Sequence, residues 1–144
     1  MSRLIVHNSD PQEEYLLEPV LRLFPKKKYR RFREVPLGRK KIDVGCVRRT
    51  EGHIEVCVEL KIKDWRRALW QAIINFQMAK QSYIALWHKY VQRAQKESAL
   101  LKQYGVGLIS VGPRSAKIII PSENKGEGRC REDMEDLYRT LVSV

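Results

Sequence analysis

The sequence predicts an α/β domain whose core runs helix, three strands, helix, strand, followed by additional strands and a C-terminal helix. Three observations predict it. First, the run from Ile54 to Gln71 changes period halfway: Ile54, Val56, Val58, Leu60 and Ile62 alternate with Glu55, Cys57, Glu59, Lys61 and Lys63, the two-residue period of a strand. After Asp64, a good N-cap, Ala68, Leu69, Ala72, Ile73 and Phe76 recur at three and four, the period of a helix. Second, Gly38 to Val47 reads as another strand, joined to the first across the short loop Thr50-Glu51-Gly52. Third, the apolar run Ser82 to Trp87 follows the helix closely enough for a crossover onto the same sheet.

Taken in order, Asp10-Pro11-Gln12-Glu13 has the form of a capping box with proline at the first helical position. A helix is expected from about Pro11 to Phe24, with Leu17, Val20, Leu21 and Phe24 as its apolar stripe and a kink at Pro19. Pro25 ends it, and Tyr29 to Val35 makes the first strand. Pro36-Leu37-Gly38 is a turn, and the two strands and the helix described above follow. His88 to Tyr104 reads as a helix stopped by Gly105. Val106 to Val111 and Lys117 to Ile120 are short strands on either side of a Gly112-Pro113-Arg114 turn. Ser122 to Arg129 is a polar loop, and Arg131 to Val142 a last helix whose early acids suit its dipole.

The hairpin between the second and third strands decides what chemistry is available. A three-residue loop wants a residue of positive φ in its last position, and Gly52 supplies it. Paired residue numbers then sum to 102, so Asp43 stands opposite Glu59 and Lys41 opposite Lys61. Opposed side chains on an antiparallel pair have Cβ atoms about 4.5–5.5 Å apart. Two acids that close call for a cation, and Mg²⁺ takes one or two carboxylates, keeps several waters and is often completed by a phosphate. With Lys61 two residues along the same face from Glu59, the set suits metal-assisted hydrolysis of a phosphodiester.

Asp43, then Glu59-Leu60-Lys61 sixteen residues on, then a helix bearing Gln71, resembles the PD-(D/E)XK nuclease superfamily, whose fold is restriction-endonuclease-like. The likeness runs over roughly Asp10 to Ile120 as an order of elements, with Ile42 in the place of the name's proline. It implies that Asp43 and Glu59, with the Leu60 carbonyl, bind Mg²⁺ or Mn²⁺ and that Lys61 serves the nucleophilic water. Gln71 resembles a polar residue that steadies such sites in some branches, although a solvent-facing place in the Arg67, Gln71, Asn75 stripe explains it too. Nucleases of this kind often bring a glutamate from the first helix; Glu14 is the candidate, with simple preference for a helix N-terminus as its alternative.

The chain has 144 residues, 43% of them hydrophobic, enough for one domain over 1–144 and too few for two. No apolar run approaches the roughly 20 residues of a membrane span, and the N-terminus is too short for a signal peptide, so a soluble, cytoplasmic protein is expected. Three cysteines without paired spacing indicate neither a disulfide framework nor a thiolate metal site. The net charge is +11, and Arg22 to Arg49 alone holds twelve Lys or Arg against Glu34 and Asp43. Such a concentration marks a polyanion binder, DNA first. Lys26, Lys27, Lys28, Arg30, Arg31, Arg33, Arg39, Lys40 and, from the later helix, Arg67 are the candidate phosphate contacts. Trp65 and Trp70 read as packing residues. The expected function is a Mg²⁺-dependent DNA endonuclease, with junctions, flaps and repair intermediates among its candidate substrates, and a two-fold dimer suits cutting of both strands. The alternative is a non-catalytic nucleic-acid-binding module on the same scaffold.

Overall fold

Apolar strands belong in the middle of a sheet and charged ones at its edge, and the chain follows that rule at one edge, the other being the apolar run Ala116–Ile120. The computed structural model describes residues 9–124. In them strands Tyr29–Leu37 (β1), Lys40–Arg48 (β2), Ile54–Lys61 (β3), Gln81–Trp87 (β4), Gly107–Val111 (β5) and Ala116–Ile120 (β6) form one sheet in the order β1-β2-β3-β4-β5-β6. β1, β2 and β3 pair antiparallel, β3-β4 and β4-β5 parallel, and β5-β6 antiparallel. β3, β4 and β5 are buried along nearly their whole length, as strands covered on both faces must be. Basic β1 lies at the edge, largely exposed, where its arginines and Pro36 also discourage a foreign strand from pairing.

A 3₁₀ turn, Glu13–Leu16, leads into helix α1 (Leu17–Leu23). Leu16, Leu17, Val20 and Phe24 cover one face of the sheet, against Val44, Cys46, Val56, Val58, Leu60, Tyr83 and Ile109. On the other face lie α2 (Trp65–Asn75), α3 (Val91–Gln95) and α4 (Ser98–Tyr104). There Ala68, Leu69, Ala72, Ile73, Val91, Ala94 and Leu101 meet Ile84, Leu86 and Leu108. Asp64 caps α2 by accepting the Arg67 N–H at 3.2 Å, as its sequence predicts.

Several expectations are corrected. The Asp10 capping box does not form: helical structure begins at Glu13 after Gln12, with no side-chain cap, because Asp10 accepts the Tyr90 hydroxyl and pairs with Lys89. The expected single helix with a kink becomes a 3₁₀ turn passing into α1, and Pro19 sits buried in the first turn of α1, where its missing N–H costs no helical bond. β1 runs on through Leu37, and the turn moves to Gly38 and Arg39, with Gly38 at φ 60°. The predicted 88–104 helix is broken into a 3₁₀ turn, His88–Tyr90, then α3 and α4. Gly105 does end it, at φ 75°. The expected helix over 131–142, and all but the start of the loop over 122–129, lie outside the described residues.

The β2-β3 hairpin reaches the expected register by another route. Val44 pairs with Val58, Gly45 with Cys57 and Cys46 with Val56, each pair summing to 102. Yet Gly52 does not take positive φ, so the connection is not the three-residue turn. Val47 pairs with Ile54, which leaves Glu55 as an extra residue, a bulge that restores the register below a longer loop. Glu55 is buried there because Arg48 grips its carboxylate, with Nη2 at 2.7 Å from Oε2, and the Tyr29 hydroxyl donates to it at 3.1 Å.

Candidate active site

The alternation of β2 breaks at Asp43. Val44 packs toward α1, whereas Ile42 joins Cys57 and Ala79 in a separate cluster. Opposite Asp43, between the pairs Arg33 with Val44 and Val35 with Ile42, Glu34 takes φ 52°, the one non-glycine among the described residues with positive φ. Beyond the Val44–Val58 pair the Asp43 carboxylate takes over from the ladder: its Oδ2 accepts the Leu60 N–H at 2.8 Å. Its own N–H points to Glu59 Oε2 at 3.4 Å. The two acids expected to face each other therefore meet at one spot, held by backbone and carboxylate together.

Glu59 is 1% exposed. The side-chain amide of Asn75, at the end of α2, donates to its Oε2 at 2.8 Å. Lys40 Nζ stands 3.5 Å from the same oxygen and 2.7 Å from Asn75 Oδ1. Because the strand turns over at Asp43, Lys40 shares the α2 side with Ile42, and Lys41 is exposed. Sequence reasoning placed Lys40 among the phosphate contacts and missed its part here. Asn75 was visible only as the last member of a polar stripe, and its burial was the missing signal.

Lys61 does not touch the acid pair: its ammonium lies 3.7 Å from Glu13 Oε2. The glutamate brought toward this strand end is thus Glu13, at the start of the 3₁₀ turn, and not Glu14, which makes no ion pair among the described residues. Gln71 comes close through its backbone, whose carbonyl accepts from Lys40 at 3.4 Å. Its side-chain Oε1 is buried without a hydrogen-bond partner among the described residues.

Burial pushes the Glu59 carboxyl above its ordinary range, and the Asp43 charge pushes the same way; Lys40, the Asn75 amide and the Asp43 N–H oppose both. A desolvated carboxylate facing a second one is what a divalent cation relieves. Among the described residues no group of three or more acids, histidines or cysteines gathers to hold an ion. The donors are two carboxylates, which is the number Mg²⁺ uses when water and phosphate complete its shell, so the residues present fit that ion.

Of the basic residues, four arginines serve the fold. Arg22 Nη1 binds the Arg114 carbonyl at 3.1 Å. Arg31 Nη1 binds the carbonyls of Leu21 and Phe24 at the end of α1. Arg48 holds Glu55, and Arg49 binds the Lys26 carbonyl at 2.5 Å. Lys26, Lys27, Lys28, Arg30, Arg33 and Arg39 are exposed and make no ion pair among the described residues. Arg67 is exposed beside Asp64, at 3.7 Å. Cys46 and Cys57 are buried strand residues whose thiols burial pushes up to about 12, so neither is a nucleophile. Trp65 is buried and half-buried Trp70 packs against the same cluster.

No protein-family model and no curated protein matches this chain. Among solved structures it is similar to a protein of unknown function from Silicibacter pomeroyi, with a TM-score of 0.57 and 18% identity over 94% of this chain and 87% of that one. That likeness supports the α/β fold and carries no activity with it. No helix among the described residues is long and apolar enough to cross a membrane.

Proposed function

We propose that the protein is a metal-dependent DNA endonuclease of the PD-(D/E)XK, restriction-endonuclease-like kind, hydrolysing phosphodiester bonds with Mg²⁺ or Mn²⁺. The observation that carries the reading is the meeting of Asp43 and Glu59 beside a cationic sheet edge, with Glu59 buried and its carboxyl raised. A structural acid would be expected at the surface or bound to an arginine, as Glu55 is. The order of elements, an opening helix on one face, three antiparallel strands, a helix on the other face and a parallel fourth strand, agrees with what the resemblance implies.

In this reading Asp43, Glu59 and the Leu60 carbonyl hold the ion, which when bound stabilises the charge that builds on the phosphate. Lys61 orients the attacking water at the end of β3, and Glu13 holds the Lys61 ammonium in place. Asn75 fixes the Glu59 carboxylate through its amide, and Lys40 offsets the Glu59 charge in the absence of the ion. The exposed cations of the Arg22 to Arg49 segment bind the duplex backbone. A two-fold dimer would bring two such sites to the two strands.

Incubation of plasmid, junction and flap DNA with Mg²⁺ or Mn²⁺ tests the reading. Wild type should nick at least one of them, Asp43→Asn and Glu59→Ala should not, and Lys61→Ala should be slower by about 10²- to 10⁴-fold. All three variants should bind DNA as wild type does. The second reading, a nucleic-acid-binding module without catalysis, is favoured by one observation: Lys61 is paired with Glu13 away from the acids. Wild-type DNA binding with no cleavage of any substrate would establish it.

A further inference from the structure

Beside the acid pair an open cavity of about 430 Å³ lies between the β1-β2 turn and α2, lined by Leu37, Arg39, Lys40, Arg67, Trp70, Gln71 and Ile74. Its volume falls within the range of small-ligand sites, and its chemistry is unusually specific. Leu37, Trp70 and Ile74 give it apolar walls that include one indole. Arg39 and Arg67, exposed at opposite elements, give it a cationic rim. Gln71 lines it as well, and its side-chain Oε1, which has almost no accessible surface, lacks a hydrogen-bond partner among the described residues, an arrangement that costs free energy until the amide turns to meet a ligand donor. Lys40 belongs to both places, lining the cavity and contacting Glu59 at 3.5 Å.

An aromatic ring, an unmet hydrogen-bonding amide and flanking cations together match one occupant: a nucleobase, stacked, read on its edge and flanked by its own phosphates. A paired base cannot enter, since its edge is already bonded and its faces are stacked. We propose that this cavity receives one unpaired base of the DNA, stacked on Trp70 and bonded by Gln71, with Arg39 and Arg67 on the adjoining phosphates. This rests on the nuclease reading for its substrate class and adds to it that the substrate carries an unpaired nucleotide next to the cut. The contact between Lys40 and Glu59 couples the two places, so an occupied cavity sets the strand beside the acids.

The test is binding, measured in EDTA so that cleavage plays no part. Fluorescence anisotropy would compare three labelled duplexes of one sequence: fully paired, with one extra unpaired thymidine, and with an abasic nucleotide in place of that thymidine. Wild type should favour the unpaired base over the abasic site by about tenfold, the scale of one base–aromatic stack. Trp70→Leu should erase that preference and Trp70→Phe retain part of it. Gln71→Leu should reduce it, and Arg39→Gln with Arg67→Gln should weaken binding of the unpaired and abasic probes alike. Equal affinity of wild type for the unpaired-base and abasic duplexes overturns the proposal, as does failure to bind any of the three. That comparison needs no variant, so a misfolded Trp70→Leu leaves it decisive. Base-dependent binding without cleavage on any DNA keeps this proposal and ends the nuclease reading; cleavage with no base dependence does the reverse.

Discussion

Glu59 carries a charge that its surroundings make costly, and the sign of that cost is testable. Its carboxyl is raised above the ordinary 4.5, by burial first and by Asp43 second. The folded protein therefore binds a proton here more readily than the unfolded chain. This group's contribution to stability is complete below the ordinary value and declines as pH rises through the raised one. Glu59→Gln should thus raise Tm at pH 7 and flatten the decline, while abolishing cleavage; a lower Tm at pH 7 in thermal denaturation would contradict the assignment. Lys40→Met should do the opposite at pH 7, leaving a buried carboxylate without its cation, and acidification should recover part of the loss. Glu55 has the contrary sign. The Arg48 hydrogen bonds hold its carboxyl below the ordinary value, so its stabilisation is present above that value and lost as pH falls through the lowered one. Arg48→Met should lower Tm at pH 7 and lessen the further fall in acid.

At the scale of elements, the site depends on two interruptions of β2 and β3. The Glu55 bulge sets the register that carries Val44 against Val58, and the break at Asp43 turns Lys40 toward α2. A regular hairpin would have placed Lys41 opposite Lys61 and left Glu59 without its ammonium. The far side of the sheet depends on a close approach of another kind. Gly107 pairs with Tyr83, and a Cβ at 107 would stand 2.4 Å from the Tyr83 ring and 2.7 Å from the Ile120 carbonyl oxygen. Gly107→Ala should cost about 1–3 kcal/mol by overpacking, read from urea denaturation, with little effect on DNA binding because β5 lies away from the basic edge.

Among the described residues charge is polarised. Positive charge gathers on edge strand β1 and the loops at its ends, next to β2 and β3, where Asp43 and Glu59 meet, while α3, α4 and β6 close the opposite side. Edge arginines also guard against strand pairing, and salt dependence separates the two roles. If Arg30 and Arg33 neutralise phosphates, Arg30→Gln with Arg33→Gln should reduce the slope of log Kobs against log salt by about 2, near 0.9 for each phosphate left without its arginine. An unchanged slope would assign both residues to edge protection. Arg31, bound to the end of α1, should instead lower stability when replaced by Met.

Local period and helix punctuation determined, in the sequence by itself, most of the element order: the strand passing into a helix at Asp64, the crossover to β4 and the stop at Gly105. These are properties of neighbouring residues, and neighbours in sequence suffice to read them. The alternation broken at Asp43, the bulge at Glu55, the choice of Glu13 over Glu14 and the entry of Lys40 and Asn75 were decided only by the tertiary structure. Each depends on where α1 and α2 settle against the two faces of the sheet, because burial, which makes an unpartnered carboxylate or amide costly, exists only once distant segments have packed.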